Sequence, residues 1–144
     1  MSLKKIQFKA QSVPPKKSKQ LWSDPIQSNL VWLLRESAFN AKISQSLDKY
    51  TCYIGLDLTI WGQRNILDKL GDLDNILSGV CDGLALRPQN QPTKISPWPL
   101  FEENEVFGPT MPLLYDDDKI IQSMKAIKKE VDEEPYYTVK IYPL

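Results

Sequence analysis

The stretch Y-T-C-Y-I-G-L-D-L-T-I-W, residues 50–61, decides the fold class of this chain. Cys52, Ile54, Leu56, Leu58 and Ile60 alternate with Thr51, Tyr53, Asp57 and Thr59, the period of two expected of a strand with one buried face. Toward the N-terminus, Ser23 or Asp24 can cap a helix and Pro25 suits its first position. Ile26, Leu30, Leu33, Leu34, Ala38 and Ala41 then form an apolar stripe at helical spacing. Before that helix, Ile6, Phe8 and Ala10 alternate with polar neighbours, and Pro14 and Pro15 end this first short strand. Toward the C-terminus, Gly71 and Asp72 open a second helix over 73–86, with Leu73, Ile76, Leu77, Val80, Cys81 and Leu84 facing inward. Two closing strands, over 119–127 and 136–142, flank an acidic turn at 130–135. The order β, α, β, α, β, β predicts an α+β fold: a mixed sheet of about four strands covered by two main helices, in one domain spanning all 144 residues. Six prolines between Pro88 and Pro112 interrupt the pattern, so 87–112 reads as an insert.

Composition narrows the chemistry. The chain has no histidine, which removes Ser-His-Asp and Cys-His nucleophile systems, histidine zinc sites and every imidazole base. Cys52 and Cys81 form no C-x-x-C pair, so neither structural zinc nor a disulfide scaffold is expected. No run of 18 apolar residues and no leader-like segment is present, which predicts a soluble cytoplasmic protein without membrane contact. The net charge is zero, but it divides unevenly. Residues 1–71 carry 11 basic and 5 acidic side chains, whereas 72–144 carry 7 and 13. The first 20 residues hold Lys4, Lys5, Lys9, Lys16, Lys17 and Lys19 with no acid among them, a basic segment able to meet phosphates.

The acids cluster twice, as Asp72 and Asp74 at the second helix start and as Asp116, Asp117 and Asp118 before the third strand. Each cluster has an ordinary reading: capping a helix N-terminus for the first, a solvated turn for the second. If the helix start and the strand start share one rim of the sheet, the carboxylates would repel strongly unless a cation sits among them. All-oxygen ligation points to a hard cation, Mg²⁺ or Mn²⁺.

The stretch G-D-L-D-N-I-L-S-G-V-C-D-G-L at 71–84, followed by Y-D-D-D-K-I-I at 115–121, resembles the RusA-type Holliday junction resolvases. Their pattern is a D-L-D-N helix start, a further Asp beyond the second Asp of that start, and an acidic pair leading into a strand; Asp82 matches the further Asp. The resemblance implies that Asp72, Asp74 and Asp117 are the metal-holding and catalytic carboxylates, with Asp82, Asp116 and Asp118 as secondary acids. Asp116 or Asp118 takes the third place if the frame is displaced by one. It further implies a homodimeric, Mg²⁺- or Mn²⁺-dependent endodeoxyribonuclease that cleaves Holliday junctions or other branched DNA during recombination and repair.

Phosphate contacts are expected from Lys16, Lys17, Lys19, Arg64 and Lys69, with Lys125 and Lys128 as weaker options. Trp98 and Phe101 can stack on bases or pack the insert, and Trp22, Trp32 and Trp61 are assigned to core or interface. The family carries a lysine four residues after the second helix-start Asp, where this chain has Ser78. That difference keeps open a relative that binds DNA or dimerises without cutting. Paired carboxylates acting on another substrate, such as a glycoside, form a third reading.

Overall fold

The computed structural model describes residues 4–18, 21–22, 24–85 and 113–144. Along the chain run β1 (Ile6–Ala10), α1 (Pro25–Ser44), β2 (Ile54–Gly62), α2 (Arg64–Lys69), α3 (Leu73–Leu84), β3 (Ile121–Glu130) and β4 (Tyr136–Pro143). The strands form one sheet in the order β1-β4-β2-β3; β2 and β3 are parallel, and the other neighbours are antiparallel. The fold is α+β, with a mixed four-stranded sheet, as the alternation of periods predicts. A parallel β2–β3 pair needs a crossover, and α2 and α3 supply it.

The register explains the core. Ile6, Ile141 and Leu56 lie side by side, as do Phe8, Val139 and Leu58, and then Ala10, Tyr137 and Ile60. All nine are buried, and Leu34 and Ala38 of α1 and Ile76, Val80 and Leu84 of α3 complete their cluster, while Val31 packs with Leu21 and Trp22. Every side chain on the opposite face of the strands is half-buried or exposed.

Local chemistry sets the helix ends. Asp24 Oδ2 accepts from the amides of Ile26 (3.1 Å) and Gln27 (2.8 Å), and Pro25 occupies the first helical position, as predicted. The buried face of α1 differs from the apolar stripe. It consists of Ser28, Val31, Leu34, Arg35 and Ala38, while Ile26 is 71% exposed. A serine and an arginine inside the buried face disguise its register. Residues 50–53 precede β2 because they are held elsewhere: the Tyr50 amide donates to the Leu114 carbonyl (2.6 Å), and the Tyr50 hydroxyl donates to that of Lys4. The short α2 was not anticipated from the pattern. Lys128 Nζ closes it by donating to the carbonyls of Leu67 (3.0 Å) and Gly71 (2.8 Å), which removes Lys128 from the free cations. Among the described residues no helix is long and apolar enough to cross a membrane.

One buried polar atom identifies a testable weakness. Tyr137 is fully buried, and its hydroxyl has no hydrogen-bond partner among the described residues. Tyr137→Phe removes an unsatisfied group while keeping the ring, so it is expected to raise stability by about 1 kcal/mol in urea denaturation.

Candidate functional site

Chain direction decides which acids meet. Lys128, late in β3, bonds the carbonyl of Gly71 just before α3, whereas Asp118, just before β3, stands beside the side chain of Asp82 near the end of α3. Helix and strand therefore run antiparallel, and the expectation that both acidic clusters share one rim is corrected. Asp72 and Asp82 lie ten residues apart in sequence, about 15 Å along the helix axis. Asp72 is exposed at the N-cap position, where its carboxylate makes no capping bond, and Asp74 is exposed in the first turn. Among the described residues, no three acidic or cysteine side chains gather closely enough to hold a metal ion.

The triple Asp divides into three different roles. Asp116 forms an ion pair with Lys49, with 3.0 Å from Nζ to each carboxylate oxygen. Asp117 Oδ1 accepts from the Lys119 amide (2.9 Å) and caps the 3₁₀ turn Asp118–Ile120. Only Asp118 turns to the helix. The acid that stands beside α3 is therefore Asp118 and not Asp117, which is occupied in starting the turn that aims its neighbour.

Asp118 stands beside Asp82, close enough for the two carboxyls to share a hydrogen bond when Asp82 is protonated. Burial, the bond to Asp118 and the charge of Asp118 push the Asp82 carboxyl up to about 6, while Lys17 opposes the shift. Beside the pair, Ser78, Cys81, Asp118, Ile121 and Met124 line a cleft of about 160 Å³. Asp74, Ser78 and Asp82 stand at four-residue steps on α3, so Asp74 is one turn beyond the cleft. The Cys81 thiol is buried 3.7 Å from the Met124 sulfur. Burial, followed by the charges of Asp118 and Asp82, pushes that thiol up to about 12, so it stays protonated and is no nucleophile. Beneath it, the buried Tyr115 hydroxyl donates to the Cys81 carbonyl (2.8 Å) and ties the segment before Asp118 to the helix. A larger cleft of about 610 Å³, lined by Thr51, Cys52, Tyr53, Lys119, Ile120 and Leu144, contains no acidic side chain.

The basic candidates separate as well. Buried Pro14 and Pro15 lead a strap over α3, with the Lys16 amide donating to Gln27 Oε1 (2.8 Å) and the Lys17 amide to the Asn75 carbonyl (2.8 Å). Gly79 permits this crossing; a Cβ there would lie 2.5 Å from Lys16 C and Pro15 O. The strap carries Lys17 to Asp82. Arg64 is exposed, with only a 4.0 Å contact to Asp68, and Lys69 is exposed at the end of α2. Lys19, Trp98, Phe101 and the insert lie outside the described residues. Trp61 is half-buried on the open sheet face rather than in the core, a placement its parity with Asp57 and Thr59 already signals.

The two carboxylates are hard oxygen donors of the kind that hold Mg²⁺, which commonly takes one or two of them and keeps several waters, and the Cys81 and Met124 sulfurs beside them suit softer metals. Asp82→Asn gives a test of the electrostatics. A folded carboxyl titrating near 6 against about 3.9 in the unfolded chain carries no penalty at about pH 3.5. It loses stability as the pH rises through 4 to 6. For a half-exposed group screened by solvent, the cost near pH 7.5 is about 1 kcal/mol. The variant is expected to gain that amount there and nothing at about pH 3.5, read by urea denaturation at both pH values.

No family model matches this chain, and no curated protein matches it.

Proposed function

We propose that this chain is a Mg²⁺- or Mn²⁺-dependent endodeoxyribonuclease of the RusA-like kind, acting as a cytoplasmic homodimer on Holliday junctions or other branched DNA in recombination and repair. The observation that carries this reading is the proximity of Asp82 and Asp118, two chemically matched carboxylates from sequence-distant elements, the second of which lines a cleft. Free Cys52 and Cys81 agree with a reducing compartment.

Asp82 and Asp118 would hold the cation, with Asp74 two turns away along α3. The metal's chemistry when bound is to lower the pKa of a coordinated water and to stabilise charge on a phosphate undergoing in-line displacement. The chain's own residues do the rest. Lys17, fixed by its backbone bond to α3, supplies a cation at the acidic pair to position a phosphate. Ser78 offers a hydroxyl to the cleft, and protonated Cys81 and Met124 form its apolar wall.

Incubation of a four-way junction and a linear duplex with Mg²⁺, Mn²⁺ or EDTA tests the reading. Junction-selective, metal-dependent cleavage is the expected result, and absence of both cutting and junction binding contradicts it. Ser78 favours a second reading, a binding relative that does not cut, because the cleft has a neutral hydroxyl where the family pattern carries a lysine. Junction binding without cleavage in any metal supports that alternative.

A further inference from the structure

The open face of the sheet carries a pattern unlike the rest of the surface. The register sets Gln7, Lys140, Asp57 and Lys125 in one row across all four strands, and Lys9, Thr138, Thr59 and Ile127 in the next. A third row places Tyr136, Trp61 and Lys129 together. Trp61 and Tyr136 stack with ring centroids 5.0 Å apart and an interplanar angle of 14°. Lys9 Nζ lies 4.3 Å from the Tyr136 ring centroid and Lys129 Nζ 5.8 Å from that of Trp61. At the other end, Lys140 approaches the Tyr142 ring at 5.9 Å, and the Tyr142 hydroxyl donates to Asp57 Oδ1 (3.2 Å).

Four lysines therefore face one carboxylate, and that carboxylate is already engaged. The ammonium groups of Lys9, Lys129 and Lys140 rest over aromatic rings, weak sites that a phosphate can outcompete. Half-exposed rings among cations offer unpaired bases a stacking surface, and the cations meet the backbone that links those bases. A second copy of this chain is disfavoured, because face-to-face pairing would set lysines against lysines.

We infer that this open face binds single-stranded nucleic acid, with Trp61 and Tyr136 as the stacking platform and Lys9, Lys125, Lys129 and Lys140 as phosphate contacts. The surface is on the opposite side of the sheet from Asp82 and Asp118, so binding stands independently of metal chemistry. For a branched DNA, it gives an unpaired arm a place to rest across the edge strand from the acidic cleft.

Fluorescence anisotropy with a labelled oligothymidine of about 20 nucleotides and a hairpin duplex of equal length tests this. Four phosphate contacts predict a log–log salt slope of about −2.8, so affinity falls about 50-fold between about 50 and 200 mM salt. Lys9→Gln with Lys140→Gln should halve the slope, leaving a fall of about sevenfold over the same range. Trp61→Leu should weaken binding about tenfold without altering the slope. Asp118→Asn should bind like the unmodified chain, which separates this surface from the proposed nuclease site. The inference is overturned if the oligothymidine does not bind, or if it binds with both face variants unchanged. Equal affinity for the duplex with no effect of Trp61→Leu, or self-association abolished by that variant, also overturns it.

Discussion

Replacing Arg35 by methionine is expected to lower stability by about 3 to 4 kcal/mol, a large share of the 5 to 15 kcal/mol typical of a domain. Arg35 is fully buried in α1, and its Nη1 donates to the carbonyls of Gly83 (3.1 Å) and Ala85 (2.9 Å). Those carbonyls belong to the end of α3, where the helix dipole is negative and intrahelical donors have run out. Burial lowers the guanidinium's pKa from its usual range, yet it remains protonated at neutral pH. Methionine fills comparable space but leaves the carbonyls without this donor. Arg35→Lys keeps a charge without the planar fork and should recover about half the loss. Thermal and urea denaturation read the result; a loss below about 1 kcal/mol would contradict a locking role for this arginine.

Asp118→Asn is expected to reduce metal-dependent cleavage by about 100-fold or more, while Asp117→Asn leaves it within about threefold. The asymmetry follows from the contacts. Asp118 stands beside Asp82 and lines the cleft; Asp117 accepts one local amide and starts a 3₁₀ turn, a task asparagine performs nearly as well. The same argument spares Asp116, which is engaged by Lys49. Asp82→Asn should match Asp118→Asn in activity loss while gaining stability near neutral pH, a combination expected of a strained functional pair.

The strands, the capped start of α1 and the inward face of α3 were legible in the sequence because each rests on a local signal: period two, an Asp-Pro helix start, and apolar residues at helical spacing. The α1 face was less legible because Arg35 and Ser28 are buried among its apolar residues. Hydropathy treats arginine as solvent-facing, whereas here it has a long-range task at the end of α3. The acids illustrate the same limit. Sequence spacing picked out both groups of acids, but not that α3 and β3 run antiparallel, which separates Asp72 from Asp118 and sets Asp118 beside Asp82. The parity of β2 placed Asp57, Thr59 and Trp61 on one face, but the lysine rows arise only when β1, β3 and β4 come into register.

The central claim is that the cation belongs to Asp82 and Asp118. The most direct measurement is the melting temperature of the intact chain against Mg²⁺ concentration near neutral pH, for the unmodified chain and for Asp118→Asn, Asp117→Asn and Asp72→Asn. At about 100 times its dissociation constant, a metal that binds only the folded state adds about 2.7 kcal/mol. That stabilisation is expected in the unmodified chain, Asp117→Asn and Asp72→Asn, and is expected to vanish in Asp118→Asn. A shift that survives in Asp118→Asn but disappears in Asp117→Asn or Asp72→Asn would contradict the account.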